Sequence, residues 1–239
     1  MMKLGLAPKR HAGVRITDER TLNVVEMALD ELNQELVGLI NRFGGRAVGV
    51  NGQDGRFIRA RPLAVGATHG EPPVDLGHVG DVERIDVELV HLLLSREFVP
   101  VVMPLGVGED GTVYHINSDR LAGALARALA AEKLVLMTNE PGLVDGQGRP
   151  LWIVTAREAE ALVADGTVAP ERVGRVTAAV DAVRSGVRSV HLIDGGVPSA
   201  LLLEVLTADG VGTAVRSDGG PHFLEDSRAY LLSPQGGDA

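Results

Sequence analysis

The sequence predicts an α/β fold in which a mostly parallel sheet carries helices on both faces. Short β-branched apolar runs alternate with helical patterns along the chain, which is the arrangement of βαβ units. Those runs are near-continuously apolar, as strands covered on both faces are. Hydrophobic residues make up 45% of the chain and aromatics only 3%, so the core must be built from Ala, Val and Leu. That composition suits Ala-rich helices on a sheet better than an antiparallel sandwich.

Helical patterns come first, at 18–29 and 32–43, with Thr17 or Asp18 as the opening cap. The strand AVGV (47–50) follows. Residues 51–81, rich in Gly, Pro and charge, read as a hairpin-like excursion carrying NGQDG (51–55). A helix near 86–96 precedes the strand VPVVM (99–103). VYHINSDRLAGALA (113–126) is an apolar strand end running into a helix near 118–131, which Ser118 or Asp119 could cap. KLVLM (133–137) and RSVHLI (188–193) are the remaining buried strands, with helices near 156–164 and 172–185 between them. A last helix near 199–208 could be capped by Ser199. In the tail (217–239), AYLL (229–232) could add an edge strand and PQGGDA fray.

Bulk properties narrow the function classes. A chain of 239 residues holds one large domain or two small ones. Cysteine is absent, which removes disulfides and thiolate metal sites. Net charge is −9, from 23 basic and 32 acidic residues, a field that opposes nucleic acid and anionic membranes as partners. No apolar run approaches the roughly 20 residues that span a bilayer. The opening MMKLGLAPKRHAG lacks a signal-peptide core, so a soluble cytoplasmic protein is expected.

Ligands of open parallel sheets bind beyond the carboxyl ends of strands. Four polar clusters fall there: His115–Asn117–Ser118–Asp119, TNEPGLVDGQG (138–148), DGTVAPERVGRV (165–176) and LIDGGVPSALL (192–202). Each alone is also ordinary turn chemistry. No GxGxxG, P-loop or metal-ligand spacing is present. His78 and His115 are not spaced as a pair and read as satisfied or surface histidines. Asp119 fits two roles on these grounds, a site carboxylate and a charge at a helix N-terminus.

Longer stretches carry a resemblance. They are GVRITDERTLNVVEMAL (13–29), NQELVGLINRFGGRAVGVNGQDG (33–55), DLGHVGDVERID (75–86), FVPVVMPLGVGEDGTVYHINSDRLAGALA (98–126), KLVLMTNEPGLVD (133–145) and HLIDGGVPSALLLEVLTADGVGT (191–213). In that order they resemble the amino-acid kinase family, in its acetylglutamate kinase branch, up to about Val215. LGVGEDG followed by the N-S-D stretch fits that branch better than the kinase of carrier-linked aminoadipate. The resemblance implies a three-layer α/β sandwich with a mostly parallel central sheet. It implies a kinase-like domain over 1–215 and an extension over 216–239. The implied reaction moves the ATP γ-phosphoryl group to the side-chain carboxylate of N-acetyl-L-glutamate, or a similar acyl amino acid, in arginine biosynthesis. Mg²⁺ would bridge the nucleotide phosphates, with no metal ligands of the chain's own. A homodimer through the helices at 18–43 and strand ends around 80–103 is implied as well.

Site residues follow from the same resemblance. Asp119 matches the aspartate that orients the catalytic cations, and Arg175 stands where the second of two lysines is expected. Arg15 matches the arginine that grips the substrate α-carboxylate, a task suited to a bidentate fork. His115 replaces an asparagine that contacts substrate, and Asn117 supplies a supporting amide. Thr138, Asn139, Glu140, Pro141, Gly142, Leu143 and Val144 border the nucleotide.

Departures from the family pattern are part of the expectation. Met1 aligns after the family's first strand, its glycine-rich phosphate loop and its Gly-Gly substrate loop. Glu171, after Pro170, replaces a glycine where a carboxylate would repel phosphate. Asn139 replaces an aspartate, and Asn51 a small residue. Three readings stay open: an active kinase whose frame was started late, a catalytically impaired paralogue that binds ligand, and an oligomer partner of a full-length kinase.

Overall fold

The computed structural model of the chain describes residues 9–11, 14–63, 74–207 and 210–219. The chain splits into two compact units, Met1–Leu129 and Ala130–Ala239. The proposed strand at 229–232 and the PQGGDA end lie outside the described residues.

In the first unit, β1 (Lys9–His11) and β2 (Val14–Ile16) form an antiparallel hairpin with Arg10 opposite Arg15. Helix α1 (Glu19–Arg42) is capped by Asp18, whose Oδ1 accepts from Thr21 N at 2.8 Å. The two helices expected at 18–29 and 32–43 are therefore one helix of 24 residues. No Gly or Pro interrupts residues 29–32, and Leu22 and Asn33, three turns apart, are both buried on one face. Strand β3 (Ala47–Asn51) follows, then a 3-10 turn at Asp54–Arg56, β4 (Ile58–Pro62) and β5 (Val79–Ile85). Helix α2 (Glu88–Ser95) leads to β6 (Val99–Met103), β7 (Leu105–Val107), β8 (Val113–Ile116) and α3 (Ser118–Ala128). β3 and β6 pair in parallel, and buried Asn33 fixes α1 to them by donating to Val101 O at 2.7 Å.

The excursion after β3 is the hairpin expected there, and it goes further. β4 pairs antiparallel with β5, and these two close with β8 and β7 into a four-stranded barrel. So narrow a barrel leaves room for few side chains. Ile58, Ala60 and Ile116 pack together there. At Gly106 a Cβ would stand 2.9 Å from both Ala60 Cβ and Ile116 Cδ1, so glycine is the residue that fits.

The second unit holds β9 (Lys133–Thr138), β10 (Ile153–Thr155), α4 (Ala156–Ala164), α5 (Pro170–Arg184), β11 (Ser189–Asp194), α6 (Ala200–Leu206) and β12 (Gly212–Arg216). The sheet order is β10-β12-β11-β9. β9 and β11 are parallel, as are β10 and β12, while β11 and β12 are antiparallel. The sheet is thus mixed, because β12, a strand the sequence did not signal, pairs antiparallel with the expected β11. β11, in the interior of the sheet, is buried through five of its six residues, matching its unbroken apolar run. Helix α4 opens with a capping box, Thr155 with Glu158. Pro170 occupies the first turn of α5, where its missing N–H costs no helical bond. Ser199 does not cap α6. Its φ of 59° places it in the left-handed region, whereas a capping hydroxyl works from extended backbone.

Candidate active site

The site residues expected from the sequence divide between the two units. Arg15, His115, Asn117 and Asp119 fall in the first. Arg175 and residues 138–144 fall in the second.

In the first unit, backbone bonds bring three separate segments to one place. Thr17 N donates to Leu76 O at 2.9 Å and His78 N to Thr17 O at 2.7 Å. His115 N then donates to His78 O at 2.9 Å. The strand that carries Arg15 therefore runs into Thr17, which pairs with the Gly77–His78 segment, and β8 with His115 lies on its other side. Gly77 is obligatory there: its φ is 66°, and a Cβ would come 2.3 Å from Thr17 O. His78 is satisfied as expected, with Nδ1 2.8 Å from Val113 O. His115 is half-buried and engaged.

Asn117 sits at the junction of β8 and α3. Its side-chain oxygen accepts from Arg120 N at 3.1 Å, so Asn117 caps the helix. Neither Ser118 nor Asp119, the expected caps, holds that position, because the cap must be the last extended residue and Asn117 has ψ 128°. Asp119 lies one residue inside the first turn, half-buried, where the helix dipole favours a carboxylate. Arg120 donates to Asp81 Oδ2 at 2.9 Å and ties the start of α3 to β5.

The NGQDG turn explains Asn51. Its side chain accepts from Gln53 N at 3.1 Å, while Asp54 Oδ2 accepts from Asn51 N at 2.8 Å. Gln53 Nε2 reaches Glu26 Oε1 of α1 at 3.3 Å. Burial, with the like charge of Asp30 second, pushes the Glu26 carboxyl above its ordinary value.

In the second unit, residues 138–144 form one loop beyond the carboxyl end of β9. Thr138 Oγ1 donates to Glu140 O at 2.7 Å and accepts from Glu140 N at 3.0 Å. Gly195 N, at the end of the parallel neighbour β11, donates to Thr138 O at 2.7 Å. Leu143 N donates to Thr213 Oγ1 at 2.6 Å. At Gly142 a Cβ would fall 2.3 Å from that same hydroxyl oxygen, so the backbone is pressed onto β12. The turn at Asp145 is held by Gln147 N and Arg149 N, each 2.9 Å from Asp145 Oδ1. Hydrogen bonds from the Arg149 backbone, first of all, lower that carboxyl's pKa.

Sequence reasoning missed Arg172. Its Nε is 2.8 Å from Glu140 Oε2, and its Nη2 donates to Pro141 O at 2.7 Å and Gly142 O at 3.1 Å. No local pattern signals this, because partners 32 residues apart in the chain meet only through the fold. Arg175, one turn further along α5, is half-buried and engaged, and Glu171 is exposed on the same first turn. No group of three or more His, Cys, Asp or Glu among the described residues is arranged to hold a metal ion. No described helix is long and apolar enough to cross a membrane.

The sequence model of the amino acid kinase family matches residues 1–194. The chain belongs to the amino acid kinase family. Within it, the chain is 55% identical over 206 residues to the acetylglutamate kinase of Chromobacterium violaceum, covering 86% of this chain and 71% of that protein. It is 50% identical over 207 residues to the acetylglutamate kinase of Nitrosospira multiformis, with the same coverage of both chains. Among solved structures, N-acetylglutamate synthase from Neisseria gonorrhoeae, complexed with coenzyme A and N-acetyl-glutamate, matches with a TM-score of 0.80 at 23% identity. That match covers 95% of this chain and 53% of the synthase chain, so the present chain spans about half of it. The carbamate kinase of Giardia matches with a TM-score of 0.55 at 16% identity, over 81% of this chain and 72% of that one. At these identities the two structures show the fold alone, and it is the α/β amino acid kinase fold expected from the sequence.

Proposed function

We propose that this chain is a phosphotransferase of the acetylglutamate kinase type, using ATP and N-acetyl-L-glutamate. The observation that carries the reading is the 55% identity to an acetylglutamate kinase across 86% of the chain. The layout of the residues supports it. Residues expected to hold the acyl amino acid gather in the first unit, and those expected to border the nucleotide gather in one tethered loop of the second.

The chemistry explains what such residues are for. A side-chain carboxylate oxygen attacks the γ-phosphorus while the bond to the β-phosphate's bridging oxygen breaks, and no proton needs to move. The obstacle is charge, since one anion approaches another, so cations and donors must surround the equatorial oxygens. ATP supplies the phosphoryl group, and Mg²⁺, carried on its phosphates, neutralises charge there. The nucleotide side fits such a guest, because the loop after β9 and the turn after β11 are bonded together at the carboxyl ends of adjacent parallel strands. Arg175 supplies fixed positive charge on the nucleotide side, and Asp119, in the first turn of α3, is the organising carboxylate of the acyl amino acid side. Arg15 and Asn117 hold the acyl amino acid by its carboxylate and amide, and His115 offers one further donor.

The test is a hydroxylamine trap for acyl phosphate with purified chain, ATP, Mg²⁺ and N-acetyl-L-glutamate. Hydroxamate that depends on all four supports the reading; none overturns it. A second reading is a ligand-binding paralogue with impaired turnover. It is favoured by a guanidinium at Arg175, which lacks the compact ammonium, and by Glu171 in the first turn of the same helix. Saturable binding of ADP with no hydroxamate would select it.

The partner we propose is a second copy of the chain. Leu32, Leu36 and Leu39 on α1, with Phe43 at its C-cap, recur at helical spacing on one stripe and are exposed.

A further inference from the structure

We propose that Arg172 is a positioning residue that locks the nucleotide loop to the first turn of α5. This rests on the reading that residues 138–144 border the nucleotide. One guanidinium makes three contacts to three consecutive residues of the loop: the Glu140 carboxylate at 2.8 Å and the carbonyls of Pro141 and Gly142 at 2.7 and 3.1 Å. Its side chain is only 20% exposed, so these contacts are partly withdrawn from water, where charge-assisted bonds are stronger.

Geometry makes arginine specific here. A planar fork with separated N–H groups can reach a side chain and two main-chain oxygens at once, whereas a lysine ammonium is a single point on a flexible stem. The rest of the loop is already held by Thr213 and Gly195, at its far end and its root. Between those anchors Thr138 Oγ1 holds the Glu140 backbone, and Arg172 is the side chain that reaches the Pro141 and Gly142 carbonyls. The same turn of α5 leads to Arg175, three residues on, so the clasp makes the loop and the helix that carries the proposed phosphate cation one body. Glu140 joins the clasp through its ion pair with the Arg172 guanidinium.

The test compares wild type with Arg172→Gln, Arg172→Lys and Glu140→Gln by hydrogen–deuterium exchange and by equilibrium binding of ADP. Arg172→Gln should speed exchange of the amides from Asn139 to Val144 and weaken ADP roughly tenfold, the loss of about one charge-assisted contact. Exchange in β11 should stay unchanged. Glu140→Gln should show a smaller effect of the same kind, because the two carbonyl bonds remain, and Arg172→Lys should not restore the wild-type values. Unchanged exchange in the loop of Arg172→Gln would overturn the clasp. So would a uniform rise that includes β11, since that marks a general packing role, and so would faster loop exchange with unaltered ADP binding. A wild-type chain that bound no ADP would count against the functional reading, while selective loosening of the loop would still support the clasp.

Discussion

Asp119 and Glu204 show how position decides what a carboxylate does. Asp119 is in the first turn of α3 but does not cap it, because Asn117 does. Its carboxylate sits beside the capping side chain, at the helix N-terminus. Asp119→Asn keeps the shape and removes the charge, so kcat should fall about 100-fold or more with little change in stability, measured by the hydroxamate assay beside a urea melt. Glu204 is half-buried in the second unit with its side chain turned inward, where Oε1 meets His191 Nδ1 at 2.5 Å and Oε2 accepts from Val211 N at 2.7 Å. Ser189 Oγ stands 2.9 Å from the other ring nitrogen. The hydrogen bond with His191, more than any other cause, holds the Glu204 pKa below its ordinary 4.5. A depressed carboxylate stabilises the fold in full above the unfolded value and loses that contribution as pH falls through the folded one. Urea midpoints of wild type should therefore exceed those of Glu204→Gln near neutrality. The gap should close as pH falls below the ordinary 4.5 and through the depressed folded value.

Among the elements, α3 couples stability to the site through its cap. Removing a side-chain cap costs about 1 kcal/mol. Asn117→Ala should lower the urea midpoint accordingly and weaken substrate. Asn117→Asp separates the two effects, because a carboxylate still accepts from Arg120 N but has no amide to donate. Its midpoint should stay near wild type while KM for N-acetylglutamate rises. At this scale the sequence was uneven. The four long apolar runs were legible as strands, and they pair in parallel two by two, β3 with β6 and β9 with β11. The three-residue strands β7 and β10 were not, because so short a segment has no period to read and is a strand only through its neighbours. The break expected between residues 29 and 32 failed for the opposite reason. Local polarity there mimicked a loop, but the buried face of α1 continues through it.

For the molecule as a whole, the exposed stripe on α1 is the feature that asks for a partner. Leu32, Leu36, Leu39 and Phe43 are 55%, 50%, 44% and 83% exposed. Aligned apolar side chains left in water favour self-association. Light scattering after size exclusion should report a dimer, and Leu36→Glu, which buries a charge in that seam, should give a monomer with an unaltered circular dichroism spectrum. A monomeric wild type would remove the dimer.

The sequence by itself determined the family, the α/β class, the long strands and helices, and which stretches hold the polar clusters. Those properties are written locally, in hydrophobic period and in contiguous motifs. The tertiary structure alone decided that β4, β5, β7 and β8 close into a barrel, that Asn117 is the cap beside Asp119, and that Arg172 reaches back to Glu140, Pro141 and Gly142. Each of these depends on contacts between residues far apart in the chain, and a guanidinium's partner is fixed by distance and direction in space, which no spacing along a sequence encodes.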